Sequence, residues 1–461
     1  MSSDCLPSLT PSSIKLCRDG TTVFVNGDYP SWIRVNKVGR EILESCDGKH
    51  SLGGLIDSLS SKYDEPVEGI RNDVLSFLAH ARIKHMFDTE PPWKNFIHDA
   101  LDNQKPAIVV MNITNKCNLA CPYCYQSAGQ AYADELKSEE ITSVTTQALD
   151  LNPDINISIS GGEPFMRRDA LELIGFACSK AKRVSLLTNG TLVTAKIADE
   201  LARMKPGALS VQISIDGGTH ATHDLIRGKG SFEKSVNAVK LLMERGIQVV
   251  LSYTVTKTNV NEVGEFFKLC DGLKVRLTRV DYVKAVGRAK DDGQSVCLAN
   301  QDYFDAVKMI NRVQAEYGWR YGDPLNDRAI LLGSFLKPRV VCGAGVSILF
   351  VDADGSVYPC TSLTTPELTG GNIRKESLRA IVTRSKAFTH VRHFDINTVD
   401  ACRTCYLKYI CNGACWIDGY AAYNAPAPNP YCDSLKRLAE EMILEYAEHP
   451  LQISELARLK K

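Results

Sequence analysis

Three cysteines stand close together in one polar loop, at Cys117, Cys121 and Cys124, with the spacing C-x3-C-x2-C. Thiolates this close repel one another unless a metal neutralises them, and sulfur ligands select iron–sulfur clusters or zinc. Structural zinc normally takes four protein ligands, and no fourth Cys or His follows nearby. The loop therefore predicts a four-iron cluster held by three cysteines, with one iron open to a ligand that is not protein. A redox or zinc knuckle is the alternative.

A second group of cysteines lies in the last part of the chain. Cys342 and Cys360 flank a predicted hairpin whose turn contains Asp354-Gly355. The other members of this group are Cys402, Cys405, Cys411, Cys415 and Cys432. In a long chain without a visible secretory signal, such spacings favour metal ligands over a disulfide framework.

Composition and charge exclude several classes of protein. The chain has 461 residues with 54 Lys plus Arg and 54 Asp plus Glu, so no global charge draws it to nucleic acid or an anionic membrane. No apolar stretch approaches the roughly 20 residues needed to span a bilayer. The N-terminus has neither the basic nor the apolar region of a secretory signal. We therefore expect a protein of a reducing cytoplasm, with no nucleic-acid or membrane partner.

The elements around the first cysteine loop follow a regular alternation. The loop comes directly after a short β-branched run, Ile108 to Met111, which predicts a buried strand. From Ala107 onward, candidate strands alternate with helical segments, which is typical of a parallel sheet with crossover helices. The candidate strands are 108–113, 155–160, 183–188, 210–215, 248–255 and 275–280. Ligands of such folds gather at the carboxyl ends of the strands, where the notable polar residues fall.

Residues 12–90 predict a small separate domain. Two short strands flank Asp19-Gly20, and three helical segments follow, at Val38–Cys46, Leu52–Tyr63 and about Pro66–His85. Strands followed by three helices form a winged-helix shape. A DNA-binding role is one interpretation, but acidic residues slightly outnumber basic ones over 1–95, and phosphate contacts need the opposite balance.

The cysteine loop, with the aromatic Tyr123 just before its last cysteine, resembles the radical S-adenosylmethionine (SAM) enzymes. The resemblance implies an α/β fold, with a partial (β/α)6 barrel over residues 96–335. It also implies that the open iron of a [4Fe-4S] cluster chelates the amino and carboxylate groups of SAM. One electron from the cluster would then cleave SAM to a 5′-deoxyadenosyl radical.

Further motifs are similar to those of the same family. Gly161-Gly162-Glu163 resembles its GGE motif, which binds the SAM amino group, although Gly-Gly-Glu-Pro alone is also an ordinary turn. Ser214 stands where relatives contact the ribose. Arg227 lies in a segment similar to the family's H-x3-R-G, whose Arg pairs with the SAM carboxylate; a surface arginine is the alternative.

Residues 336–461 resemble the SPASM extension of radical SAM enzymes, which holds auxiliary [4Fe-4S] clusters. The resemblance implies two such clusters, the outer one bound by Cys402, Cys405, Cys411 and Cys432. It assigns Cys342, Cys360 and Cys415 to the inner one, which is then one protein ligand short. We hypothesise that this open position takes a substrate thiolate. Zinc in this region is the alternative to clusters, and a spare cysteine could fill the position instead: Cys5, Cys17, Cys46, Cys178, Cys270 or Cys297.

Residues 1–95 are similar to PqqD-like domains, which bind the leader segment of ribosomally made peptides as an added strand. Together the resemblances imply a radical SAM maturase that forms a thioether or related cross-link in a precursor peptide, with flavodoxin or ferredoxin as reductant. A carbon–carbon cross-linking enzyme remains open. An anaerobic sulfatase maturase is disfavoured, because Thr361 replaces the Asp that follows the matching cysteine there. The alternative from another class is a non-catalytic iron–sulfur electron carrier or peptide-binding scaffold.

Overall fold

A computed structural model describes most of the chain: residues 5–29, 31–89, 105–205, 207–292, 295–316 and 342–448. Both predicted domain boundaries, at 95/96 and 335/336, lie outside these described residues. So do the predicted linker at Glu90–Trp93 and the polar loop expected before residue 335.

The N-terminal part is an antiparallel sheet followed by three helices. Its strands are β1 Ile14–Arg18, β2 Thr21–Asn26 and β3 Ser31–Val35, paired in the order β1-β2-β3. The helices are α1 Lys37–Glu44, α2 Leu52–Tyr63 and α3 Val67–Ile83. The two strands and three helices expected from the sequence are confirmed. The sequence analysis missed β3, a five-residue strand that runs almost directly into a helix.

Strand β2 is buried on both faces, which joins the N-terminal part to the rest of the molecule. Phe24 packs with the core of the N-terminal helices, whereas Val23 and Val25 pack with the main core. Gly27, in the following turn, lies so close to the Tyr406 backbone that a Cβ would overlap it. Beside it, Lys408 donates from Nζ to Oδ1 of Asp28 at 2.7 Å. The N-terminal sheet is thus docked on the C-terminal part through a close backbone contact and an ion pair.

The middle of the chain forms the predicted parallel sheet with crossover helices. Strands β4 to β9 occupy Ile108–Asn112, Asn156–Ser160, Arg183–Thr188, Leu209–Ser214, Gln248–Val255 and Leu277–Tyr282. Neighbours in the chain are neighbours in the sheet, and all are parallel. Helices α4 to α9 lie between them or within their connections, at Ser138–Leu151, Ala170–Lys180, Ala195–Ala202, His220–Arg227, Ser231–Glu244 and Val263–Gly272. All six predicted strands are confirmed, with boundaries that shift by no more than two residues.

The C-terminal part begins with the predicted hairpin, formed by β10 Ile348–Val351 and β11 Ser356–Tyr358. Strand β10 pairs parallel with β4, and β11 pairs with the short strand β12, Gly371–Asn372. The result is one nine-stranded sheet in the order β12-β11-β10-β4-β5-β6-β7-β8-β9. The sequence analysis assigned this hairpin to a region beyond the barrel and did not predict its pairing with the first barrel strand.

Helices of four to 17 residues form most of the remaining described structure. After β9 come α10 Arg288–Asp291 and α11 Asn300–Glu316. After β12 come α12 to α17, at Leu378–Arg384, Lys386–Arg392, Asp400–Arg403, Lys408–Cys411, Trp416–Tyr423 and Cys432–Glu448. None of the helices in the described segments has the length and apolar character needed to cross a membrane.

Candidate functional site

The loop with the first three cysteines begins where β4 ends, at the carboxyl edge of the sheet. Glu135 fixes its start by accepting hydrogen bonds from the backbone N–H of Asn115 at 2.7 Å and from the Thr114 hydroxyl at 2.9 Å. The backbone N–H of Cys117 donates to the carbonyl of Gly129 at 2.9 Å, which closes the loop on itself. These bonds give the cysteines a defined backbone.

Gly161 and Gly162 follow β5 and lie against the same loop. A Cβ on Gly161 would overlap the carbonyl oxygen of Thr114, and one on Gly162 would lie 2.7 Å from that of Asn115. In addition, Gly162 N–H donates to the Thr114 carbonyl at 2.8 Å. Two adjacent glycines at a strand end predict a close approach of the backbone to a ligand. The close approach seen in the structure is to the cysteine loop, so the glycines clamp that loop to the second barrel strand.

Glu163 is completely buried, and its carboxylate is held by the residues that end the next strand. It accepts hydrogen bonds from the Thr188 hydroxyl at 2.7 Å and from the backbone N–H of Asn189 at 2.8 Å. Burial raises its pKa, and these hydrogen bonds act in the opposite direction. Thr188 and Asn189, at the end of β6, therefore position Glu163.

Tyr123 and Arg227 meet at a carboxylate that the sequence analysis did not single out. The Tyr123 hydroxyl and Arg227 Nε both donate to Oδ2 of Asp216, and Arg227 Nη2 donates to the Tyr123 hydroxyl at 2.6 Å. Asp216 is fully buried and stands two residues after the end of β7. Arg227 is therefore not the surface arginine of the alternative interpretation. At least two of its donors serve the protein itself, so its contact with a SAM carboxylate stays a prediction, as does the ribose contact of the half-buried Ser214.

The segment after β9 holds the loop from its other side. Arg288 donates from Nε to the Cys121 carbonyl at 2.8 Å and from Nη1 to the Ala128 carbonyl at 2.7 Å, while its backbone N–H donates to the Cys124 carbonyl at 3.1 Å. Gly287 has φ +54°, and a Cβ there would lie 2.5 Å from the Tyr125 carbonyl. In the sequence, the segment from Val280 to Ala289 only resembles the segment that follows the sixth strand in the radical SAM family. No local signal indicated that Arg288 reaches a loop more than 150 residues earlier.

The ten predicted cysteine ligands form three groups in space. Burial and the negative charge of neighbouring thiolates raise the pKa values of Cys117, Cys342, Cys402, Cys411 and Cys415, and the thiolates that act on them define each group. These groups are Cys117 with Cys121 and Cys124; Cys342 with Cys360 and Cys415; Cys402 with Cys405, Cys411 and Cys432. The groups coincide with the three sets predicted from the sequence. In the described segments, no three His, Cys, Asp or Glu side chains converge on the position of a single metal ion.

Each group fits an anionic, sulfur-bound cofactor. One backbone N–H donor points at a sulfur in every group, from Leu119 to Cys117 Sγ at 3.5 Å, Ala344 to Cys342 Sγ at 3.5 Å and Leu407 to Cys405 Sγ at 3.4 Å. Hydrogen bonds to sulfur are a means by which proteins stabilise iron–sulfur clusters. Burial raises the pKa of Cys117 and of Cys342 to about 11, so these thiolates need a bound cation.

Comparison with protein families identifies all three parts. The sequence profile of the radical SAM superfamily matches residues 111–270, that of coenzyme PQQ synthesis protein D (PqqD) matches residues 21–86, and that of the SPASM iron–sulfur cluster-binding domain matches residues 342–406. The sporulation killing factor maturation protein SkfB of Bacillus subtilis is 32% identical over 288 residues, which are 62% of this chain and 67% of SkfB. The chain belongs to the radical SAM superfamily.

Other similar proteins show how widely the family varies. The AdoMet-dependent heme synthase of Nitratidesulfovibrio vulgaris is 30% identical over 327 residues, covering 66% of this chain and 86% of that enzyme. The crystal structure of Streptococcus suis SuiB bound to its precursor peptide SuiA aligns with a TM-score of 0.59, at 14% identity, over 93% of this chain and 99% of SuiB. This last likeness concerns the fold, and the fold class predicted from the sequence is confirmed.

This radical SAM enzyme thus has a SAM-binding [4Fe-4S] site and a SPASM part that carries auxiliary iron–sulfur sites. Cys117, Cys121 and Cys124 lie on a loop that starts at the end of β4 and is held by the glycines after β5 and by Arg288. Every one of these contacts is at the carboxyl edge of the sheet, where parallel α/β folds bind their ligands.

Proposed function

We propose that this protein is a radical SAM maturase that oxidatively modifies a ribosomally synthesised precursor peptide, forming a thioether or a related cross-link. The observation that carries the proposal is the placement of three cysteine groups on one continuous framework, with a PqqD-like domain docked beside the outer group. An enzyme that only transferred electrons would need no SAM motif beside its first cluster. SkfB, a relative named for maturation, supports a peptide substrate.

Within this proposal, Cys117, Cys121 and Cys124 hold the cluster that binds SAM. The bound cluster and SAM supply the 5′-deoxyadenosyl radical that abstracts a hydrogen atom from the peptide. Gly161, Gly162, Glu163, Ser214, Arg227 and Tyr123 form the surroundings of SAM. The buried hydrogen-bond networks of Asp216 and Glu163 keep the cysteine loop rigid and exclude water from these surroundings.

The inner group provides the reason to propose a thioether. Cys342, Cys360 and Cys415 are its protein ligands, and none of the spare cysteines joins them through the mutual effects that connect this group. Three ligands leave a position for a thiolate from the peptide. A C–S bond then forms as a C–H and an S–H bond break: one hydrogen atom goes to 5′-deoxyadenosine, one electron to an auxiliary cluster and one proton to solvent.

The outer group, Cys402, Cys405, Cys411 and Cys432, has four protein ligands and needs no ligand from the substrate. A cluster bound by these four cysteines would pass on the one electron that formation of the cross-link releases at the inner group. Flavodoxin or ferredoxin would supply the electron that starts each turnover. Cluster potentials span a range wide enough for these different roles.

The N-terminal sheet offers a place for the peptide leader. Strand β3 is the last strand of the N-terminal sheet in the order β1-β2-β3, so an added strand would lie along its outer side. Nearby, Ser31 at the start of β3 donates to the carbonyl of Lys84, directly after α3. Helix α3 exposes apolar side chains, with Leu75 45% and Ile83 72% exposed. An extended peptide that adds to β3 can bury these side chains, which is the usual form of β-augmentation.

The proposal is tested with the anaerobically reconstituted enzyme, SAM, a reductant and the precursor peptide encoded beside the gene. The expected product has lost two hydrogen atoms, and fragmentation mass spectrometry places the loss on a cysteine and its partner residue. Formation of 5′-deoxyadenosine with an unchanged peptide would contradict the assigned substrate. Loss of hydrogen between two carbons, with every cysteine still alkylatable, would contradict the thioether.

Leader recognition is tested separately with the variant Leu75→Glu. We expect weaker binding of a leader peptide in fluorescence anisotropy, since a charge would be buried under the added strand. The matched control is Leu225→Glu, on the exposed face of α7, where leucine is 74% exposed. Equal binding by both variants would contradict the proposed leader surface. SAM cleavage without peptide should be the same in both.

A further inference from the structure

An ion pair between the partly buried Lys284 and the buried Asp418 stands beside the inner cysteine group and has no part in the assignments above. Lys284 lies two residues after β9, at the exit of the barrel sheet. Its Nζ is 3.5 Å from Cys415 Sγ and 2.9 Å from Oδ1 of Asp418. Asp418 belongs to α16, one helical turn after Cys415, and is only 4% exposed. A barrel residue therefore places a cation against a sulfur of the C-terminal part.

The surroundings hold both charges in place. The Tyr282 hydroxyl donates to Oδ2 of Asp418. Asn429 donates from Nδ2 to the same oxygen at 3.4 Å and to the Cys415 carbonyl at 3.2 Å. Lys284 Nζ also lies 5.0 Å from the centre of the Tyr282 ring, within the range of a cation–π contact. Contacts with Tyr282 and Asn429 thus fix the pair with respect to the cysteine.

Among the three cysteine groups, the pair acts mainly on the inner one. Lys284 lowers and Asp418 raises the pKa of all three of its thiols, whereas neither is among the principal influences on Cys117 or Cys402 in the other groups. A buried charge acts strongly on its neighbours, since little water is present to screen it. Net charge and hydrogen bonds to sulfur are the main means by which a protein sets the potential of an iron–sulfur cluster.

We propose that Lys284 and Asp418 are positioning residues that set the reduction potential of the inner cluster in opposite directions. Lys284 raises the potential, because its charge and its N–H···S contact stabilise the reduced cluster. Asp418 lowers the potential and holds the ammonium group against Cys415. The inference rests on the proposed assignment of Cys342, Cys360 and Cys415 as cluster ligands.

The test is an anaerobic redox titration followed by electron paramagnetic resonance. The full-length protein carries Cys117→Ala, Cys121→Ala and Cys124→Ala in every sample, so that only auxiliary signals remain. Within this background, Lys284→Met should make the inner cluster harder to reduce, by at least tenfold in the reduced-to-oxidised ratio at a fixed solution potential, or about 59 mV. Asp418→Asn should shift the ratio the other way, and the double variant should fall between the two.

A control separates charge from general damage to this interface. Lys290 also joins the barrel exit to α16, donating to the Ala421 carbonyl at 2.6 Å and to Asn424 Oδ1 at 2.7 Å, but it makes no sulfur contact. Lys290→Met should leave the potential unchanged. If Lys284→Met loses the cluster, Lys284→Gln and Asp418→Asn still carry the test, since both keep a polar group in place.

Three outcomes overturn the inference. Shifts of the same sign in Lys284→Met and Asp418→Asn would show loosened packing instead of a charge effect. Unchanged potentials in both variants would show that the pair does not act on the cluster. If adding Cys342→Ala and Cys360→Ala to the background removed no iron, the ligand assignment itself would be wrong, and this result is distinguishable from a cluster that is present but does not shift.

Discussion

Replacing Arg288 with Met should detach one side of the SAM-cluster loop and leave the auxiliary sites intact. The guanidinium donates to two carbonyls of the loop, those of Cys121 and Ala128, at 2.8 and 2.7 Å. Methionine keeps most of the apolar volume and removes both donors. The substitution therefore tests the hydrogen bonds more than the packing.

The expected size follows from the two hydrogen bonds that are lost. The Ala128 carbonyl loses the donor that Arg288 supplies, which costs about 1–3 kcal/mol. The Cys121 carbonyl still accepts from the backbone N–H of Cys124 at 3.2 Å and loses a charged hydrogen bond worth about 1.5–3 kcal/mol. At about 1.4 kcal/mol for each factor of ten, the sum of about 2.5–6 kcal/mol should make loop opening at least about 60-fold more frequent. The contact made by the backbone N–H of residue 288 remains, which keeps the effect local.

The assay is iron release to a chelator from anaerobically reconstituted protein. Electron paramagnetic resonance identifies the SAM-binding cluster, because added SAM changes only its signal. In Arg288→Met this signal should be lost much faster than in the wild type, while the auxiliary signals decay at the wild-type rate.

Arg392 provides the matched control, because it also donates to two carbonyls, those of Gly345 and Val382, both at 2.7 Å. It is 6% exposed and lies in the C-terminal part, close to the backbone that follows Cys342. Arg392→Met should spare the SAM-binding cluster. Equal decay of that cluster's signal in Arg288→Met and the wild type would refute the reasoning, as would equal loss in both arginine variants.

Three further predictions concern other contacts. Gly161→Ala should abolish the SAM-responsive signal and keep auxiliary iron, since its Cβ would overlap the Thr114 carbonyl; iron analysis with and without SAM checks this. His223 is buried, and its pKa is lowered to about 4, chiefly by burial and then by Arg227. The free energy of unfolding of the wild type should therefore fall by about 1.4 kcal/mol as pH falls one unit below about 6.5. In unfolding measurements, His223→Asn should lack this pH dependence. Asp28→Asn should raise hydrogen exchange over residues 22–28 and 402–411 alone, because the charged bond from Lys408 is lost.

The direction of the His223 effect follows from proton binding. The unfolded chain takes up a proton near the ordinary histidine pKa of about 6.5, whereas the folded chain does so only near 4. Between these values the unfolded state binds more protons, so stability is complete above about 6.5 and declines as pH falls towards 4. A steeper decline in His223→Asn than in the wild type would contradict the buried neutral histidine.

Local patterns in the sequence were enough to predict the barrel strands and the first cysteine loop, whereas the division of the later cysteines into two groups came from the resemblance to the SPASM extension. The strands are β-branched runs separated by helical periodicity, which depends only on near neighbours. The cysteine spacings are equally local within the first loop and within the Cys402 segment. The membership of Cys432 in the outer group came from resemblance to a family, and the structure brings it to Cys402 and Cys405.

The contacts that the sequence did not reveal join residues far apart in the chain. Strand β10 is short, and nothing within it indicates that its partner is β4, some 240 residues earlier. The same holds for Arg288 and the Cys121 carbonyl, and for Lys284 and Cys415. An arginine or lysine in a polar segment is usually a solvated side chain, so its type alone cannot identify a buried partner.

For the glycines after β5, the expected close backbone approach is present, but it is to the cysteine loop. Gly161-Gly162 was expected to give close backbone approach, and the structure does show one, to Thr114 and Asn115. A two-residue motif can reveal that there is no room for a side chain, but not what occupies the space. Only the parallel register of β4 with β5 brings the two segments together at the carboxyl edge.

The pairing of β10 with β4 fixes the position of the first cysteine loop relative to the inner cysteine group. Cys117 follows β4 and Cys360 follows β11, so both follow strands of the same sheet, with only β10 between those two strands. Lys284, at the exit of β9 on the opposite edge, reaches the same inner group through α16. The inner group is therefore held from both sides of the barrel sheet, by the hairpin beside β4 and by Lys284 after β9. A hinge between the barrel and this hairpin would need to break the backbone pairing of β10 with β4, so the hairpin keeps a fixed position relative to the first cysteine loop.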